Sequence, residues 1–189
     1  MRMRMRMRMR MRMRIRIFLS ALVAGLIITG GARAQVTRET IPGVTNFAKV
    51  ESTIACAGAM TPAGVGEVKK LGYAAIINLR EAAETGAGVE AETAAAQDAG
   101  IRYVHLPLKS AAPDPAVVEQ FLKAVVDPAN QPVLVHCGTG NRAAALWMIK
   151  RMVVDGWDAD RASTEAAALG LTSAALKTFA LEYAAAHRK

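Results

Sequence analysis

Cys137 and Arg142 bracket the stretch VHCGTGNRA, residues 135–143, with Gly138, Thr139, Gly140 and Asn141 between them. Residues of these types at this spacing suit anion chemistry. Gly138 and Gly140 let a short loop curl so that successive backbone N–H groups converge on one point, which makes an anion-binding nest. Arg142 closes the cradle with a planar fork of donors. A cysteine at the centre of such a nest is a nucleophile, because the groups that bind an anion also favour thiolate sulfur. His136, one residue earlier, alternates to the other side of the strand and is expected to steady the loop rather than act as a base.

The loop needs elements to hold it, and the flanking sequence supplies them. Val133–His136 is an apolar run of strand length, and the segment from Arg142 to Val154 is a helix stopped near Gly156, so the loop leaves a strand and enters a helix N-terminus. Upstream, Thr53–Ala57, Ala74–Leu79 and Arg102–Leu106 read as strands. Between them lie a helix capped by Thr61 with Pro62 at its first turn and Val65, Val68 and Leu71 on one face, and an Ala-rich helix from Val89 to Ala99. Asp114-Pro115 opens a further helix with Val118, Phe121, Leu122 and Val125 at helical spacing, and two helices near Asp160–Leu169 and Ser173–Ala186 end the chain. Alternation of this kind predicts an α/β fold, a parallel sheet with helices on both faces and the loop at the carboxyl end of a central strand.

Residues 1–34 read as a cleavable export signal and 35–189 as one catalytic domain. Alternating Met and Arg from Met1 to Arg14 form a basic segment, Ile15 to about Thr29 an apolar one, and Ala32-Arg33-Ala34 a small-x-small cleavage site before Gln35. Translation from Met13 would leave a signal of ordinary shape. The apolar stretch is short for a membrane span and no cysteine follows the cleavage site, so neither a stable membrane anchor nor a lipoprotein is expected. The chain is then periplasmic or secreted. Of the 24 basic residues nine lie in this segment and no acidic one does, leaving 15 basic against 16 acidic residues. The net charge of +8 belongs to the signal, and nothing in the domain suggests nucleic acid.

The stretches NFAKV (46–50), AGAMTPAGVGEVKKLGYAAIINLRE (57–81), AGIRYVHLPL (99–108) and PVLVHCGTGNRAAALWMI (132–149) resemble the bacterial phosphatase-like domain of beta-lactamase-hydrolase-like proteins. That family belongs to the protein-tyrosine and dual-specificity phosphatase superfamily. The resemblance implies a catalytic Cys137 and an anion-binding Arg142.

Three departures from the phosphatase pattern bear on the reaction. Phosphatases of this type put five residues between cysteine and arginine, whereas here there are four, as in the short loop of rhodanese-type sulfurtransferases. Ala143 stands where phosphatases carry a hydroxyl that assists thiolate departure. Lys109 and Ser110 follow HLPL where the general acid is usual, leaving Asp114 as the nearby carboxylate that could serve as general acid, with helix capping its more natural task. Sulfur transfer through a Cys137 persulfide, which needs no buried acid, is therefore ranked first. Phosphoester hydrolysis through a phospho-enzyme is the alternative, and a non-catalytic anion-binding module comes third. The expected partners are a small anionic substrate, a sulfane sulfur or a phosphoester, and for sulfur transfer an acceptor thiol.

The remaining candidates are weaker. Arg80 could meet the anion at the sheet edge or pair with Glu81 or Glu84. His105 reads as a satisfied strand histidine, His187 as a helix-end residue, and Trp147 and Trp157 as packing residues. Three scattered histidines and two cysteines make no metal signature, and no cofactor is expected. Cys56 and Cys137 in an oxidising compartment raise the prospect of a reversible disulfide, provided the strands bring them within bonding geometry.

Overall fold

The computed structural model describes residues 36–187. The export-signal segment, its cleavage site and both start codons lie outside the described residues. In chain order the elements are β1 (Thr37–Arg38), β2 (Ala48–Glu51), β3 (Ile54–Ala57), α1 (Pro62–Lys70), β4 (Ala75–Asn78), α2 (Val89–Asp98), β5 (Arg102–His105), α3 (Pro115–Val126), β6 (Val133–His136), α4 (Asn141–Val153), α5 (Ala159–Leu169) and α6 (Ala174–His187).

The six strands form one sheet in the order β1-β2-β3-β6-β4-β5. Four of them, β3, β6, β4 and β5, run parallel. The expected parallel sheet is thus extended into a mixed one by β1 and β2, which join antiparallel at the β3 edge. These two gave little sequence signal because they are short: β1, the edge strand, has two exposed residues, and β2, between β1 and β3, has four with a register shift between Lys49 and Glu51.

Every residue of β3, β4 and β6 is buried, as a strand covered on both faces requires. Alternation sorts their side chains into two layers. On one face Ile54, Cys56, Ala75, Ile77, Val133, Val135 and Cys137 pack with Val118, Phe121 and Val125 of α3, most of α4, and the inner faces of α5 and α6. On the other, Ala55, Ala57, Ile76 and Leu134 pack with Val65 and Val68 of α1 and Ala96 of α2. Leu71, expected on the apolar face of α1, instead caps its carboxyl end and is 43% exposed, because the helix stops at Lys70.

Helix α4 is the centre of the first layer, with ten of its 13 residues buried. Small side chains at Ala143, Ala144 and Ala145 let it approach the sheet closely. At its far end Arg151 pairs with Glu165 at 2.7 Å, Glu51 at 2.6 Å and Asp155 at 2.9 Å, and lies against the Trp147 and Trp157 rings. This knot joins α4 to α5 and β2, and so fixes the helix whose other end carries the loop.

Candidate active site

The loop forms where β6 ends. The Cys137 N–H donates to the Ala57 carbonyl at 3.3 Å, which ties the strand end to β3. The chain then turns through Gly138 and Thr139 to Gly140, whose φ of +100° is a conformation that glycine adopts without strain. Helix α4 starts at the next residue. The Gly140 N–H points back at Cys137 Sγ, at 3.1 Å. Sγ therefore sits at a helix N-terminus, where backbone donors and the helix dipole favour negative charge.

Arg142, in the first turn of α4, is 7% exposed. Its Nη1 donates to the carbonyls of Leu79 at 3.1 Å and Leu108 at 3.0 Å and also meets Glu84 Oε1, while Nη2 donates to Glu84 Oε2 at 2.8 Å. The guanidinium is thus locked from behind by the segments that follow β4 and β5. A Cβ built on Gly138 would lie 3.5 Å from Nη2 and 3.6 Å from Glu84 Oε2, so the fork runs beside the loop. Burial opposes the charge of Arg142, but the Glu84 hydrogen bond and the neighbouring Cys137 and Glu84 charges outweigh it and hold its pKa above the ordinary value. In return, the Arg142 hydrogen bond brings the Glu84 carboxyl down to about 2.

Glu84 was named in the sequence only as a possible partner of Arg80. Its role as the Arg142 clamp comes from a contact across 58 positions. Arg80 does not reach the anion loop. It is 5% exposed and donates to the carbonyls of Thr85 at 2.8 Å and Gly86 at 2.6 Å, with Glu84 Oε2 at 3.4 Å. Arg80 therefore shapes the turn that presents Glu84.

Asparagines hold the loop from outside. Asn46, at φ 51°, donates to the Thr139 carbonyl at 3.1 Å. Asn141 donates to Thr139 Oγ1 at 3.1 Å, while its Oδ1 accepts from the N–H groups of Thr172 at 2.8 Å and Ser173 at 2.9 Å, where α6 begins. Asn141 is thus a latch to the α5–α6 turn. Thr139 is the exposed tip.

The other candidates fall as follows. Asp114 Oδ1 accepts from the Ala116 N–H at 2.8 Å and caps α3, the capping task read from the sequence. His105 Nε2 meets the Arg80 carbonyl at 2.7 Å. His136 is fully buried on the α1/α2 side, opposite Cys137. Cys56 and Cys137 are both free and buried and share one face of the sheet. Cys56 registers with Val135, two residues short of Cys137. Strand spacing of about 4.8 Å and a rise of about 3.3 Å per residue then separate the two Cα atoms by roughly 8 Å. That exceeds the limit of about 7 Å for a disulfide without backbone movement. Burial, with the Cys137 charge, also pushes the Cys56 thiol up, which keeps it protonated.

Residues 46–154 match the family described as beta-lactamase hydrolase-like protein, phosphatase-like domain. The beta-lactamase hydrolase-like protein of Xylella fastidiosa is 38% identical over 87 residues, which is 45% of this chain and 20% of that protein. The chain thus spans about a fifth of the length of that curated relative. Among solved structures, P. aeruginosa TpbA superposes with a TM-score of 0.62 at 22% identity, covering 82% of this chain and 91% of its own. A Cys-to-Ser variant of TpbA in complex with pTyr gives 0.57 at 20% identity, covering 83% and 90%. The catalytic core of the PP-IP phosphatase Siw14 from S. cerevisiae, in complex with citrate, gives 0.61 at 18% identity, covering 76% and 88%. These superpositions identify the fold as that of the protein-tyrosine and dual-specificity phosphatases. With its motif on the loop of that fold and more than half of its length matched, the chain belongs to the phosphatase-like domain family of the beta-lactamase hydrolase-like proteins.

Proposed function

We propose that this chain is a cysteine-dependent phosphatase that hydrolyses small phosphoesters through a Cys137 phospho-enzyme. The observation that carries the reading is Cys137 Sγ at the focus of the loop, 3.1 Å from the Gly140 N–H, with the Arg142 fork clamped beside Gly138. The sequence alone ranks sulfur transfer first. The phosphatase neighbours, one of them crystallised with pTyr, reverse that order.

Sγ attacks phosphorus, the S–P bond forms as the ester P–O bond breaks, and the loop N–H groups with Arg142 hold the equatorial oxygens. With Asp114 capping α3 through Oδ1 and Lys109 and Ser110 in place of an acid after β5, the leaving oxygen takes its proton from solvent. Esters whose leaving groups are already weak bases, aryl phosphates above all, are therefore preferred. Water then attacks the phosphocysteine, the S–P bond breaks and inorganic phosphate departs. Ala143 offers no hydroxyl to the departing thiolate, which makes this second step slow and favours a burst of product in the first turnover.

A second reading, sulfur transfer, is favoured by the four-residue interval between Cys137 and Arg142. In it the outer sulfur of thiosulfate bonds to Sγ, sulfite leaves, and an acceptor thiolate removes the sulfur. One experiment separates the two. Vanadate-sensitive hydrolysis of an aryl phosphate, lost in Cys137→Ser, supports the phosphatase. Its absence, with a gain of one sulfur on Cys137 after thiosulfate, supports sulfur transfer. The basic and apolar segments of residues 1–34 support a periplasmic or secreted setting, which cell fractionation of the expressed full chain tests.

A further inference from the structure

On the α1/α2 side of the sheet, directly beneath the loop, lies a polar group that the reaction above does not use. Glu92 of α2, Asn78 of β4 and His136 of β6 are each fully buried. Glu92 Oε2 accepts from the Tyr103 hydroxyl at 2.7 Å and from Asn78 Nδ2 at 3.0 Å, and His136 Nε2 lies 3.3 Å from it. Asn78 Oδ1 in turn accepts the Arg80 N–H at 2.8 Å. Glu92 Oε1 and both His136 ring nitrogens have no aligned hydrogen-bond partner.

A carboxylate and an imidazole buried this deeply are costly unless they compensate each other, and the 3.3 Å approach of Nε2 to Oε2 places them to do so. The titratable group that touches the pair is Tyr103 on β5, while Cys137, the next residue after His136, lies on the other face of the sheet. Burial, with the Glu92 hydrogen bond, pushes the Tyr103 phenol up, so it remains a donor to Glu92. His105 is turned to the Arg80 carbonyl.

The backbone at His136 is already held on two sides: its carbonyl accepts the Leu79 N–H at 2.9 Å, and the next N–H, that of Cys137, donates to Ala57. A third constraint, from below, sets the direction in which the chain leaves the strand. We propose that Glu92 supplies it: its carboxylate, 3.3 Å from Nε2, holds the His136 ring from below, and so positions the strand end that delivers Cys137. Glu92 is thus a positioning residue that acts through His136. This inference rests on Cys137 being the nucleophile and is independent of whether phosphorus or sulfur is transferred.

The test is a double-mutant cycle on the full chain. Glu92→Gln, His136→Asn and their combination are compared with wild type, and the rate of Cys137 alkylation by iodoacetamide at pH about 7 is followed by peptide mass, with melting curves confirming the fold. Glu92→Gln keeps volume and an acceptor but replaces the carboxylate that faces the ring with a neutral amide. Each single change is expected to slow alkylation about tenfold and the double change no further, as coupled neighbours do. A folded Glu92→Gln protein that alkylates at the wild-type rate, or a double variant that slows by the product of the two singles, overturns the proposal. If Glu92→Gln does not fold, Glu92→Asp retracts the carboxylate by one methylene and is expected to slow alkylation several-fold; an unchanged rate overturns the proposal equally. Wild-type Cys137 that reacts no faster than free cysteine removes the nucleophile itself, and that result is visible before any variant is compared.

Discussion

Arg142 shows how one side chain is prepared for a ligand. Two carbonyls and a carboxylate hold its far edge, so the fork is oriented before any anion arrives. A lysine keeps the charge and loses the fork. Arg142→Lys is expected to lower kcat/KM for an aryl phosphate by about a hundredfold, the scale of a lost oxyanion donor. Near-normal kinetics would mean that Arg142 does not touch the substrate. Glu84 carries a pH signature. Its carboxyl is held at about 2 against an ordinary 4.5, so its contribution to stability is complete above the ordinary value and is lost as pH falls from about 4.5 towards 2. The difference in melting temperature between wild type and Glu84→Gln is therefore expected to be constant near neutrality and to shrink across that acid window. A difference that persists undiminished at the acid end would show that the ion pair is not its source. Cys137, Arg142 and the glycines between them were legible because they are local to one loop. Glu84, Asn46, Glu92 and Tyr103 were not, since each is defined by a partner from a distant segment: 58 positions separate Glu84 from Arg142 and 93 separate Asn46 from Thr139.

At the scale of elements, the helices that begin with a capping side chain were legible from the cap itself. Thr61 accepts from the Gly64 N–H and Asp114 from that of Ala116, as a Thr-Pro or Asp-Pro pair ahead of an apolar period leads one to expect. Helix α5 starts one residue before Asp160, the expected start, because Asp158 is its cap. The β1–β2 extension was missed for a physical reason: strands of two and four residues are too short for a period to stand out in the sequence. The segment after β3 matters more for the site. A Cβ on Gly58 would stand 2.5 Å from Thr45 Oγ1 and 3.3 Å from the Thr139 carbonyl carbon, so the loop needs a bare backbone there. Gly58→Ala is expected to destabilise the domain by about 1–3 kcal/mol and to lower turnover by displacing Thr139. Denaturant unfolding with parallel kinetics checks both. Unchanged stability and activity would show that the loop rests on other supports.

Across the whole molecule the sheet divides the chemistry between two layers. One face, filled by α3 to α6, carries Cys137 at the edge of an apolar core. The other, under α1 and α2, carries the Asn78, Glu92, Tyr103 and His136 network. The Arg151 knot anchors α4 at its far end, so the two ends of one buried helix serve stability and chemistry separately. In the proposed phosphatase reaction Cys137 becomes covalently phosphorylated during turnover. Rapid acid quench of the protein reacting with an aryl phosphate, followed by intact and peptide mass, detects that adduct. One added phosphoryl group is expected on the peptide that contains Cys137, appearing with the burst and absent from Cys137→Ser. Turnover without that adduct, or turnover that survives in Cys137→Ser, would contradict that reaction.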